Sequence, residues 1–341
     1  MRQIVNTANG GSDVLEIQEV PDLSPDTNEL LIKVKASGLN FADILARKGQ
    51  YPDGPSKPCV MGYEVSGVVS AVGQEVDKSW LGKEVIAFTR FRGQAEQVLV
   101  HPAQVFAKPE GLTFEEAAAI PVNYITAYLL ITVMGALQPE DSVLIHNVGG
   151  GVGIAALDLA MHIGATTYGT ASQRKHQFLR DRGLDFAIDY RNKDWYEEIM
   201  SLTDGKGVEL VTDPLGGKEW KRSYKVLRGT GRLGMFGISS ASEGTEGGLK
   251  GLWNMAKTVV GMPLFHPLPL LNKNRGVFGV NLGHLWHEQE KARLWMDKLL
   301  KGVEEGWVNP YVDTTFSFDN VAEAHRYIEE RKNIGKVILI P

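Results

Sequence analysis

The stretch Val143-Leu-Ile-His-Asn-Val-Gly-Gly-Gly-Val-Gly-Ile-Ala-Ala-Leu157 carries the plainest chemistry in this 341-residue chain. An apolar run stops at glycines, and a helical pattern starts at once. A strand, a tight turn and a helix N-terminus in that order make a pyrophosphate site, because unpaired amides and the positive end of the helix dipole meet there. Written as G-x-G-x-x-G, the motif has Gly150 and Gly153 as its last two glycines and Val148 at its first position. Gly150 admits close backbone approach to the phosphates, and Gly153 lets the helix pack on the sheet. Gly151 and Val152 lie between them, at the helix start.

Enzymes that use NAD place an Asp or Glu about twenty residues further on, where it bonds the adenosine ribose. Nineteen residues past Gly153 this chain has Ser172, followed by Arg174 and Lys175. A carboxylate there would repel a 2′-phosphate, whereas a hydroxyl donates to it and a cation pairs with it. Ser172, Lys175 and Tyr190, the last after the third strand of the pattern, together favour NADPH. Arg174 alone reads as a solvated helix start.

The elements that position these residues alternate. Strands are expected at 143–146, 166–170, 186–189, 208–212 and 231–236, with helices at 153–163, 175–182, 195–203 and 219–227 between them. Such alternation predicts a doubly wound parallel sheet. Residues 1–122 differ: short β-branched runs such as Leu30–Ala36 and Val65–Val72 sit between glycines and prolines, which suggests a small barrel or sandwich. A helix is expected from Phe41 to Arg47, and Thr113 with Glu116 forms a capping box for another. Ser239 to Gly251 reads as a surface loop. Trp253 to Leu271 reads as an irregular apolar connection, because prolines break it; it would cover a pocket or meet a partner. Further on, 276–282 is read as a strand, 290–305 as an amphipathic helix and 336–341 as a strand.

Composition is that of an ordinary globular protein, with 43% hydrophobic and 23% charged residues. A net charge of −5 argues against nucleic-acid binding. The single cysteine, Cys59, excludes an internal disulfide and a cysteine-rich zinc site, and reads as a small buried apolar residue. No signal layout and no spanning apolar run is present, so the expected location is cytoplasmic.

The chain resembles zinc-independent quinone oxidoreductases of the medium-chain dehydrogenase/reductase superfamily. The matching segments include Ala36-Ser-Gly-Leu-Asn-Phe-Ala-Asp43, Gly62-Tyr-Glu-Val-Ser-Gly-Val-Val69, Pro109-Glu-Gly-Leu-Thr113, Thr126-Ala-Tyr128 and Gly335-Lys-Val337. Within that group it is most similar to the VAT-1 homolog-like branch, through Gly169-Thr-Ala-Ser172, Asp213-Pro-Leu-Gly-Gly217 and Phe278-Gly-Val-Asn-Leu-Gly283. The resemblance implies an α/β protein with a GroES-like β-barrel catalytic domain (1–122 and 283–341) and a Rossmann NADPH-binding domain (123–282). It implies a cleft at their junction, and a homodimer in which the 276–282 strand is a plausible pairing edge. Zinc-dependent relatives carry a Cys and a His where this chain has Asn40 and Tyr63.

The resemblance also implies site residues. Asn40 and Tyr51 match the acceptor pocket; Asn40 would orient the acceptor and Tyr51 would donate a hydrogen bond or stack on a ring. Thr126 would reach the nicotinamide from the start of its helix, with Phe236, Gly237 and Asn281 beside the cofactor and Lys336 as a weaker phosphate contact. His146 and His162 read as structural, and no local Ser/His/Asp pattern suggests hydrolysis. The expected activity is hydride transfer from NADPH to a quinone or an α,β-unsaturated carbonyl, small-molecule substrates both. The competing expectation is an NADPH-binding protein that serves mainly to hold a lipid or a partner.

Overall fold

The computed structural model describes residues 1–51, 53–239 and 258–341. The chain divides into two compact units: Met1–Ile125 with Gly283–Gly306 and Pro310–Pro341, and Thr126–Leu282 with Trp307–Asn309.

The first unit is built around the strand Leu30–Leu39. It pairs antiparallel with Glu64–Val72, Gln97–Val100 and Lys336–Ile340 within a seven-stranded sheet. Period-2 alternation explains its placement: Ile32 and Val34 are buried, and Lys33 and Lys35 between them are exposed. The inward residues pack against Val65, Val69, Val85, Val98 and Val105. Two register shifts, at Leu31/Ile32 and Val34/Ala36, bend this strand. A separate three-stranded sheet joins Leu15–Glu19, Arg2–Asn6 and Cys59–Val60.

Local signals operate as their chemistry requires. The helix Phe114–Ala118 starts at a reciprocal box: Thr113 N donates to Glu116 Oε2 (2.9 Å) and Glu116 N donates to Thr113 Oγ1 (3.2 Å). The helix Phe41–Arg47 lies where expected. Cys59 departs from the reading of a buried apolar residue. It is half-buried, and its thiol lies 3.2 Å from the Lys57 ammonium.

The second unit holds six parallel strands in the spatial order Phe186–Asp189, Thr166–Ala171, Ser142–Ile145, Val208–Asp213, Leu227–Met235 and Gly276–Gly279. Numbered along the chain this is 3-2-1-4-5-6, the Rossmann order. The sequence direction reverses between Ser142–Ile145 and Val208–Asp213, and ligands bind beyond the carboxyl ends of strands at such a point. Val143, Leu144 and Ile145 are at most 1% exposed, as befits a strand covered on both faces. The core joins Leu144, Tyr168, Ile188, Trp195, Ile199, Val211 and Leu233.

Three elements differ from expectation. The strand Leu227–Met235 is longer than the 231–236 reading, while the 276–282 strand stops at Gly279. Within the apolar stretch from Trp253 to Leu271, residues 253–257 lie outside the described residues, as do all of the expected surface loop but Ser239. The described part includes the start of a helix, Pro267–Lys273. Its prolines stand in the first turn, where no intrahelical N–H bond is lost, and His266 Nδ1 accepts from Leu268 N at 3.3 Å. Among the described residues, no helix is long and apolar enough to cross a membrane.

Candidate functional site

The glycine turn lies at the carboxyl end of Ser142–Ile145. Asn147 takes a left-handed conformation (φ 53°), and Gly150 N donates to Asn147 O at 2.9 Å. The helix Gly151–Ile163 begins there, with Gly150 in extended conformation and no side chain capping it. Helix geometry leaves the amides of Gly151, Val152 and Gly153 without an intrahelical acceptor, so an anion is their natural partner. Gly153 is required by packing: a Cβ on it would lie 2.3 Å from Asn147 O.

Lys175 is brought to this turn. It is only 5% exposed, and a Cβ built on Gly149 would lie 2.8 Å from Lys175 Cδ and 3.7 Å from its ammonium nitrogen. A cation therefore crosses the turn that presents the free amides. Ser172, 6% exposed, opens the short turn Gln173–Lys175 without capping it through its side chain. Tyr190 is half-buried just after the strand Phe186–Asp189, and Arg174 is exposed. Asp189, the carboxylate nearest Tyr190 in sequence, is committed to Arg191 N (3.1 Å) and Asn192 Nδ2 (2.6 Å).

The remaining expected residues of this unit are placed as follows. Thr126 is buried inside the helix Pro121–Tyr128, near its end rather than at its start. The turns continue as a π-helix over Leu129–Val133. Phe236 and Gly237 follow the strand Leu227–Met235; Phe236 N donates to Asp213 O at 3.2 Å. Asn281 is exposed beyond Gly276–Gly279. His162 stacks on Trp307, with ring centroids 4.4 Å apart.

In the first unit, Asn40, Glu64 and Lys336 form a buried cluster, at 8%, 0% and 3% exposure. Asn40 Nδ2 donates to Glu64 Oε1 (2.9 Å) and Gly38 O (3.3 Å), and its Oδ1 accepts from Lys336 Nζ (2.8 Å). Lys336 also donates to Glu64 Oε1, and Glu64 Oε2 accepts from Val122 N at 2.7 Å. Both amide protons of Asn40 are thus spent, so its side chain offers an acceptor rather than a donor. Gly38 makes room for the cluster: a Cβ on it would lie 2.5 Å from Glu64 Oε1. Asp43 Oδ2 accepts from Asn40 N (2.8 Å) and Oδ1 from Gly62 N (3.2 Å). Full burial pushes its carboxyl up to about 7 against those donors.

Tyr51 meets Tyr63 edge to face at 6.4 Å, and Tyr63 tilts against Phe91 at 5.5 Å. With Met61, Ala46 and Val122 they form an aromatic cluster. Burial raises the pKa of both tyrosines, so each hydroxyl keeps its proton at neutral pH and remains a donor.

Sequence reasoning missed the Glu64–Lys336 pair and a buried chain through His146, Ser223 and Asp213. Glu64 stands in the Gly62-Tyr-Glu segment, but its lysine is 272 residues away. The three residues of the buried chain do not form a hydrolytic triad. Ser223 is 0% exposed and its hydroxyl donates to Asp213 Oδ2 (2.6 Å), so no substrate reaches it as a nucleophile.

The alcohol dehydrogenase GroES-like domain family matches residues 26–128, and the zinc-binding dehydrogenase family matches residues 182–339. The chain is 40% identical to the synaptic vesicle membrane protein VAT-1 homolog of Danio rerio, over 99% of this chain and 69% of that protein. Its identity to the Homo sapiens protein of that name is 38%, over 100% and 86%. Among solved structures, the human VAT-1 homolog-like protein is 31% identical with a TM-score of 0.85, covering 100% of this chain and 98% of that one. Escherichia coli quinone oxidoreductase complexed with NADPH is 28% identical, TM-score 0.87, covering 100% of both chains. CurK enoyl reductase is 28% identical, TM-score 0.84, covering 99% of this chain and 98% of that one.

The zinc in one family's name does not fit the donors present. Where the resemblance implies zinc ligands this chain has Asn40 and Tyr63, and the Lys336 ammonium pairs with Glu64. Among the described residues, no three His, Cys, Asp or Glu side chains gather as a metal site. A Rossmann-ordered sheet, a GroES-like unit and full-length similarity place the chain in one lineage: it belongs to the family of VAT-1 homologs within the medium-chain dehydrogenase/reductase superfamily.

Proposed function

We propose that the protein is a zinc-independent oxidoreductase that transfers hydride from NADPH to quinones or α,β-unsaturated carbonyls. The observation that carries this reading is Lys175 lying across the glycine turn, with Ser172 where an NAD enzyme has a carboxylate. Relatives named quinone oxidoreductase and enoyl reductase, one of them an NADPH complex, support it. The amides at 151–153 would hold the pyrophosphate, while Ser172, Lys175 and Tyr190 would take the 2′-phosphate. Thr126, Phe236, Gly237 and Asn281 would lie along the nicotinamide half.

NADPH supplies the hydride; the chain supplies position and charge stabilisation. As hydride reaches the β-carbon of an enone, charge builds on the conjugated oxygen, and a neutral donor beside it lowers the barrier. Tyr51 is the donor we assign, because its hydroxyl stays protonated. Asn40 has no proton left to give, and a quinone or enone has none to give it, so its role is to hold Lys336 in place. Lys336 retains one N–H beyond its bonds to Glu64 and Asn40 for a phosphate. We further infer a homodimer through the edge strand Gly276–Gly279, and a cytoplasmic location.

A second reading has its own support: Val260, Leu264 and Leu271 are 86%, 95% and 70% exposed, a surface suited to a lipid or partner. Oxidation of NADPH by the purified protein, with 1,2-naphthoquinone and a panel of alkenals, separates the two. Saturable turnover supports the reductase. Tight NADPH binding without turnover across the panel supports the binding role.

A further inference from the structure

Four buried side chains beneath the glycine turn form a chain of hydrogen bonds whose direction can be worked out. Asn147 N donates to Thr170 Oγ1 at 3.2 Å. Thr170 Oγ1 lies 3.1 Å from His146 Nδ1, and His146 Nε2 lies 3.2 Å from Ser223 Oγ. Ser223 donates to Asp213 Oδ2 at 2.6 Å, and Asp213 Oδ1 accepts from Leu215 N at 2.6 Å. His146, Thr170, Ser223 and Asp213 are all at most 3% exposed, so water offers no alternative partners.

The protons can be placed by elimination. Ser223 has one, and it goes to the carboxylate. Ser223 must then accept from His146, which puts a proton on Nε2. Burial keeps the imidazole neutral, so Nδ1 carries only a lone pair and Thr170 must donate to it. Thr170 Oγ1 is left to accept from the Asn147 amide. The side-chain protons thus run in one direction, from the turn to Asp213, whose carboxylate also accepts from the Leu215 and Gly216 amides.

We propose that Thr170, His146, Ser223 and Asp213 are positioning residues that lock the left-handed Asn147 turn in its phosphate-binding shape. The chain ties together the carboxyl ends of three strands: Ser142–Ile145, Thr166–Ala171 and Val208–Asp213. It also ties them to the helix Lys218–Lys225 through Ser223. His146 stands edge-on to Trp195 at 4.5 Å, which fixes the ring plane. Asn147 O in turn accepts from Gly150 N, so the anchored amide and the start of the cofactor helix belong to one turn. The proposal rests on the reading of that turn as an NADPH site.

Two measurements test it. Nitrogen-15 NMR of histidine-labelled, ligand-free protein should show His146 neutral with its proton on Nε2. An Nδ1–H tautomer would overturn the direction of the chain whatever the protein binds. NADPH titration of Thr170→Val, which strands the Asn147 amide, should give affinity about tenfold weaker, with Thr170→Ser within about threefold of wild type. A folded Thr170→Val that binds NADPH as wild type does would overturn the positioning role. Failure of the wild-type protein itself to bind NADPH would instead overturn the cofactor reading, and the tautomer result would still stand apart from it.

Discussion

Lys175 lies across Gly149 so closely that any side chain at 149 displaces it: a Cβ there would sit 2.8 Å from Lys175 Cδ. The obstruction is a flexible side chain, unlike at Gly153, where the obstruction is Asn147 O at 2.3 Å. Gly149→Ala should therefore fold with a nearly unchanged Tm but bind NADPH about tenfold more weakly, as expected for a misplaced charged hydrogen bond. Gly153→Ala should instead lose stability. Thermal melts and NADPH titrations of both variants check this; a destabilised Gly149→Ala with normal affinity contradicts it.

If Lys175 and Ser172 read the 2′-phosphate, their variants must separate the two cofactors. Lys175→Ala should weaken NADPH by about tenfold to a hundredfold while leaving NADH nearly unchanged. Ser172→Asp should shift preference toward NADH by placing a carboxylate against the phosphate. Equal losses for both cofactors in Lys175→Ala would place the lysine elsewhere than at the 2′ position.

Tyr51→Phe keeps the edge-to-face packing on Tyr63 and removes only the hydroxyl. The expected result is a fall of about tenfold to a hundredfold in kcat/KM for enone reduction, with NADPH affinity unchanged. Unaltered kinetics would leave the ring as packing alone.

Acid stability should depend on His325. This residue is 1% exposed and both its ring nitrogens lack a hydrogen-bond partner, so burial, aided by Arg47, holds its pKa well below the ordinary value. The unfolded chain takes up a proton near pH 6.5 and the native state does not. The contribution is thus fully present above that pH and lost as pH falls below it, by about 1.4 kcal/mol per pH unit. Asp43 and Asp213, raised to about 7 and about 6, act in the opposite sense. The diagnostic quantity is therefore a difference. Between pH 7 and 5, His325→Leu should lose less stability in denaturant melts than wild type; parallel losses would contradict this.

What could be read from the sequence was local or periodic. The glycine turn, the alternating strands and the Thr113–Glu116 box each lie within a few residues, so propensity and spacing reveal them. The Asn40–Glu64–Lys336 cluster was hidden because Lys336 is 296 residues from Asn40, and strand pairing alone brings them together. His146 was read as structural, yet its link to Ser223, 77 residues on, needed the parallel sheet to exist first. The helix Pro267–Lys273 was missed because two prolines look like breakers until the first turn is located.

The central claim is hydride transfer from NADPH to carbon, and isotope tracing tests it most directly. Purified protein would be given NADPH deuterated at the transferable C4 position and a 2-alkenal, and the product examined by mass spectrometry and NMR. The account predicts a saturated aldehyde with one deuterium at the β-carbon and a solvent proton at the α-carbon, formed faster from NADPH than from NADH. Recovery of unlabelled alkenal, with NADPH bound but unconsumed, and the same outcome for 1,2-naphthoquinone, would contradict it.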